Sequence, residues 1–177
     1  KSLGAKLKEV EQPDFPYGPL TDIVIGAEAA SVFEDFLRGP KVDMMADRGQ
    51  AASMKAALEI PAVDYLKAMR IRSLVRDAFQ DMLYREVDML LTPSRMEVAP
   101  RLAAGFGDEE SRALTGKRGL ADLIPAANLA GLPAISLPCG FAGNLPVGIS
   151  LVGRAFFENH LLGVGRAFQS QTDWHKR

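Results

Sequence analysis

Asn128-Leu-Ala-Gly131-Leu-Pro133-Ala-Ile-Ser136-Leu-Pro138-Cys139-Gly140-Phe-Ala-Gly143-Asn144-Leu-Pro146-Val-Gly148-Ile-Ser150-Leu-Val-Gly153 is the stretch from which the fold is read. Two apolar runs inside it, Ala134–Leu137 and Val147–Val152, follow directly on prolines and contain β-branched residues, so both read as buried strands. The Gly143-Asn144 pair between them is a hairpin signal. Proline lacks an amide hydrogen and glycine reaches positive φ, so Gly131, Pro133, Pro138, Gly140, Pro146, Gly148 and Gly153 should set where the ladder begins, stops and turns. Backbone shape is specified here more tightly than side-chain chemistry.

Upstream of this stretch, residues 120–130 read as a helix interrupted by Pro125, and Val87–Thr92 as a buried strand ended by Pro93. The longest helix expected opens after Pro61 and runs from Ala62 to about Glu86, with Ile71, Leu74, Val75, Ala78, Phe79, Met82 and Leu83 as its apolar positions. Thr21 is placed to cap an earlier helix that Gly39-Pro40 stops, and a weaker helical segment spans Asp43–Leu58, with Met44 and Met45 as gap-fillers. Downstream, Leu161, Leu162, Val164 and Phe168 mark a closing helix facing the sheet, with Glu158 complementing its dipole. Residues 95–119 read as a mobile surface loop with a short helix at 109–114, of the kind that covers a site. Residues 1–20 read as a linker leading into one folded unit, 21–177. The fold class is α/β, with helices packed on strands of a mixed β-sheet.

Composition narrows the function. With 21 basic against 22 acidic residues the formal charge is -1, which gives no positive field to hold phosphates, so no direct nucleic-acid binding is expected. No apolar run approaches the roughly 20 residues of a membrane helix. One cysteine forms no internal disulfide and suits a reducing compartment such as the cytoplasm.

Asn128-Leu-Ala-Gly-Leu-Pro-Ala-Ile-Ser-Leu-Pro-Cys-Gly-Phe, then Leu145-Pro-Val-Gly-Ile-Ser-Leu-Val-Gly-Arg154, then Glu158 and Leu161-Leu162, resembles the C-terminal part of amidase-signature enzymes. Asp64-Tyr65-Leu66-Lys67-Ala68 with Arg72 is similar to a stretch those enzymes carry ahead of a buried strand. The resemblance implies carboxamide hydrolysis through an acyl-serine intermediate, without metal or cofactor, on a small-molecule amide. It also implies that the nucleophilic serine, a second serine and a lysine base lie in a preceding Gly/Ser-rich half that nothing here matches. No catalytic residue is therefore assigned, the chain alone is expected to be inactive, and association with that missing half or with itself is expected. A related reading is the A subunit of a tRNA-dependent amidotransferase. Ile124, where those subunits tend to carry threonine, and the spacing near Asp122 speak against it. A third is a non-catalytic interaction module on the same scaffold, which would be soluble alone, whereas a half-enzyme would expose an apolar face.

Each reactive residue also has a plain structural role. Ser136 and Ser150 lie inside strands without a base, so local hydrogen bonding is expected of them. Cys139 would need a histidine, and His160 and His175 lie elsewhere; it is kept only as a candidate pocket residue closing a strand. One cysteine and two distant histidines do not make a zinc site. Asp88, Asp122 and Glu158 are too far apart in sequence to read as paired acids. By resemblance, Asp122 borders the substrate pocket. Asn128 either satisfies backbone where helix meets strand or forms a pocket wall.

Overall fold

A computed structural model of the chain describes residues 4–99 and 122–177. In order these form α1 (Tyr17–Val32), α2 (Glu34–Arg38), α3 (Arg48–Ala56), α4 (Ala62–Arg85), β1 (Met89–Pro93), α5 (Leu123–Ala130), β2 (Ala134–Ala142), β3 (Leu145–Gly153) and α6 (Glu158–Ser170). The described residues divide into two compact units, one of residues 16–73 and one of residues 4–15, 74–99 and 122–177.

The first unit is helical. Its helix α1 opens at Tyr17 rather than at a Thr21 cap, since the Leu20 amide already donates to the Pro16 carbonyl at 3.1 Å. Pro19 is harmless there because the first helical turn needs no internal amide donors. Thr21 lies inside the helix, and its buried hydroxyl has no partner among the described residues. The expected single helix through Phe33 to Leu37 breaks at Phe33, which separates α1 from α2. The segment expected as one helix over 43–58 divides too. A 3-10 turn at Pro40–Met44 precedes α3, whose start is set by the Asp47 carboxylate accepting from the Gln50 amide at 2.8 Å. Ala30, Leu37, Val42 and Ala51 form the core, with Met45 and Met54 packed against it, while Met44 is 81% exposed. Only one of the two expected gap-fillers therefore fills a gap.

The second unit is built on a sheet of order β1-β3-β2, both pairings antiparallel. Both hairpin strands run past their expected ends. Pro138 pairs with Gly148 and Pro146 with Phe141, inside the ladder rather than outside it. An edge strand tolerates proline where its amide would face away from the neighbour, and β2 is such an edge. Pro146 lies beyond the Ile149–Gly153 span that β1 covers, so among the described residues β3 has one neighbour there. Cys139 does not close β2; the register shifts between Pro138 and Gly140, so Cys139 sits at a bulge in mid-strand. The turn is the expected one, with Gly143 at φ 61 between the paired Ala142 and Leu145.

Helix α5 is continuous. Pro125 is its third residue and, like Pro19, occupies a turn without internal donors. It ends on Gly131 at φ 69, where the Leu132 amide donates to the Ala127 carbonyl at 3.0 Å and the Gly131 amide to the Asn128 carbonyl at 3.2 Å. These two bonds define a Schellman ending, which requires a left-handed residue. Side-chain alternation then puts Ile135, Leu137, Ile149 and Leu151 on one face of the sheet, with Leu161 of α6 buried against it. A side chain on Gly153 would stand 3.1 Å from Leu161, and one on Gly165 3.0 Å from Ile135, so both glycines permit this close packing. Leu162 and Val164, expected to face the sheet, are instead exposed.

Candidate functional site

The face of the sheet opposite α6 carries the polar chemistry. Thr92 of β1 stands opposite Ser150 of β3, and Ser150 opposite Ser136 of β2, so three hydroxyl residues form a row across three strands. Thr92 is buried, whereas Ser136 is exposed. Ser94, one residue beyond β1, projects back to the same face. Its Oγ lies 2.6 Å from Ser136 Oγ and 2.9 Å from Ser150 Oγ. The Ser94 amide donates to the Gly148 carbonyl at 2.8 Å. A Cβ on Gly148 would stand 3.1 Å from both Ser94 Oγ and the Leu137 carbonyl, so any larger residue would crowd Ser94 here. Among the described residues no hydrogen bond joins these three serines to a basic side chain, and without a base a serine hydroxyl is a weak nucleophile. The chemistry available to it is hydrogen bonding.

Two of the three pocket candidates belong to α5 and the third to β2. Asp122 occupies the N-cap position of α5 without capping it, and Asn128 is exposed near the other end of that helix. No hydrogen bond from the Asn128 side chain to another described residue is present. The junction it was expected to satisfy is closed by backbone bonds at Gly131 and Leu132. Cys139 is half-buried at the β2 bulge, and no hydrogen bond among the described residues joins it to either histidine, to Asp122 or to Asn128. The expected loop helix at 109–114 lies outside the described residues.

A small cleft of about 140 Å³ opens at the far end of the strands, lined by Asp88, Met89, Gly153, Arg154, Phe157, His160 and Leu161. Arg154 organises it. Its Nε donates to the Leu83 carbonyl at 2.9 Å, in the last turn of α4, and its Nη2 lies 3.6 Å from Asp88. Its guanidinium also sits 5.9 Å from the centre of the Phe157 ring. Asp88 thereby acts as a surface ion-pair partner, not as one of two paired acids, and Glu158 stands exposed in the first turn of α6. Among the described residues no group of three or more His, Cys, Asp or Glu is placed to hold a metal. No helix formed by them is long and apolar enough to cross a membrane. Sequence reading overlooked Ser94 and the reach of Arg154, because both depend on cross-strand register. The one linear signal was Ser94 at the same-face spacing from Thr92.

Comparison with known proteins adds a frame. The chain is similar to the A subunit of the glutamyl-tRNA(Gln) amidotransferase of Microcystis aeruginosa, 34% identical over 201 residues that cover 100% of the chain and 40% of that protein. Its counterpart in Thioalkalivibrio sulfidiphilus is 37% identical, with the same two coverages. Among solved structures, one described as an amidase superposes with a TM-score of 0.79 at 24% identity, over 96% of this chain and 38% of its own. A bacterial aryl acylamidase of the amidase-signature family gives 0.76 at 19% identity, over 99% and 38%; at these identities the likeness is one of fold. The chain thus spans about two fifths of the length of the curated relatives it matches. Since the amidase family model matches residues 4–162, the chain belongs to the amidase (amidase-signature) family.

Proposed function

We propose that this chain is the scaffold portion of an amide hydrolase, working with a nucleophile-bearing portion of the kind that precedes it in its relatives. The observation that carries this reading is the family match over residues 4–162, together with a cluster of serines that no basic side chain among the described residues hydrogen-bonds. In the assembled enzyme a serine hydroxyl of the other portion attacks the amide carbonyl, its proton passing to a lysine base. The tetrahedral oxyanion collapses with loss of ammonia or an amine, and water then releases the acid from the acyl-serine. The present chain supplies sheet strands and one wall of the pocket, with Asp122, Asn128 and Cys139 as the side chains offered to substrate. Hydrolysis needs no cofactor in this scheme.

The test is reconstitution. The chain alone should release no ammonia from simple carboxamides and should resist serine-directed fluorophosphonate labelling. Mixed with the preceding portion of a relative, it should associate and restore turnover. In that assembly Asn128→Ala should lower kcat/KM about ten-fold, the effect of roughly one lost substrate hydrogen bond. Covalent capture at a serine of the isolated chain overturns the proposal. A second reading, the amidotransferase A subunit, is favoured by the names of the relatives; ammonia transfer only in the presence of further subunits and ATP distinguishes it.

A further inference from the structure

We propose that Ser94 is a latch that fixes where the chain leaves the sheet, and that its hydroxyl bonds hold the exposed segment following β1 in place. Four observations converge on it. Pro93 has no amide hydrogen, so the last backbone bond from this strand end to β3 is the one from the Ser94 amide to Gly148. The Ser94 hydroxyl then adds a side-chain bond to each of two strands, through Ser136 on β2 and Ser150 on β3. Gly148 keeps its α-carbon bare where any side chain would press on Ser94. Immediately past this point Arg95–Ala99 are all exposed and have no regular structure. Among the described residues, the bonds of Ser94 are therefore the last that tie this strand end to the sheet.

Proton bookkeeping shows how the latch is tied. Ser94 has one hydroxyl proton and two bonds, so at least one of Ser136 and Ser150 donates to it. Three hydroxyl protons serve two bonds, which leaves one proton over for another acceptor. Because Ser136 and Ser150 stand directly opposite each other in register, the latch closes only when the hairpin and β1 are both aligned. Its bonds are few and partly exposed, which is the pattern of a local opening that leaves the rest of the fold intact.

Limited trypsinolysis reads this directly, because Arg95 is the first residue past the latch. In the 177-residue chain, Ser94→Ala should speed cleavage of the Arg95–Met96 bond about five-fold, the rise in open population expected when two partly exposed hydroxyl bonds, each of small net worth, are lost. Cleavage after Arg154 should be unchanged. Ser136→Ala, at an exposed position that folding tolerates, should give a smaller rise, and the Ser94→Ala/Ser136→Ala pair should exceed Ser94→Ala by little, since both remove the same bond. Amide exchange at Ser94 should quicken in parallel. The proposal is overturned if neither single variant changes cleavage at Arg95. It is equally overturned if cleavage rises by the same factor at Arg95 and Arg154, which would mean global loosening.

Discussion

Tyr65 and Arg154 show how much one side chain can decide. The Tyr65 hydroxyl donates to Glu28 at 2.5 Å, joining α4 to α1. That bond, with smaller help from burial and from the Glu28 charge, raises the phenol above its ordinary pKa of 10.0. A raised folded value means that the contribution to stability is fully present below pH 10 and is lost as pH climbs through the folded pKa. Tyrosine titration followed near 295 nm should show one phenol ionising late, and Glu28→Ala should return it to lower pH; identical curves would refute the assignment. Arg154 ties the Leu83 carbonyl, Asp88 and the Phe157 ring, from three different parts of the second unit. Lysine lacks the planar fork, so Arg154→Lys should cost about 1–2 kcal/mol in denaturant unfolding. Neither partnership was legible in the sequence. Tyr65 and Arg154 stood out only as parts of a resemblance, because their partners lie 37 and 71 positions away.

At the scale of elements, local chemistry was read well where it is self-contained. Pro61 marked the opening of α4, Gly143-Asn144 the hairpin, and Gly131 the end of α5. Replacing Gly131 by alanine should cost roughly 1–2 kcal/mol, because a Cβ opposes the left-handed conformation; a fall in melting temperature with unchanged far-ultraviolet circular dichroism checks it. Asp47→Ala should remove the α3 cap at a cost of about 1 kcal/mol, read the same way. Proline was misread three times, at Pro125, Pro138 and Pro146, and for one reason. It breaks an element only where its missing amide would have been used, and neither a first helical turn nor an unpaired strand edge uses that amide. The outward turn of Leu162 and Val164 is a matter of phase. Contact through Leu161, Gly165 and Phe168 leaves them on the far side of α6. Leu161→Ala should accordingly cost about 3 kcal/mol, and Leu162→Ala little, in the same unfolding assay.

For the molecule as a whole, family and fold class were within reach of the sequence because the Asn128–Gly153 stretch encodes them through proline and glycine. These residues act on the backbone locally, whatever surrounds them. Only the tertiary structure decided that Ser94, Ser136 and Ser150 share one hydrogen-bonded cluster and that Cys139 sits at a bulge. It also decided that Asn128 leaves the helix–strand junction to backbone bonds. The serine cluster and the Cys139 bulge depend on strand register, and a shift of one residue would send those side chains to the opposite face. Register is set by the packing of Leu137, Leu151 and Leu161 against one another, a property of three segments meeting that no one of them carries alone.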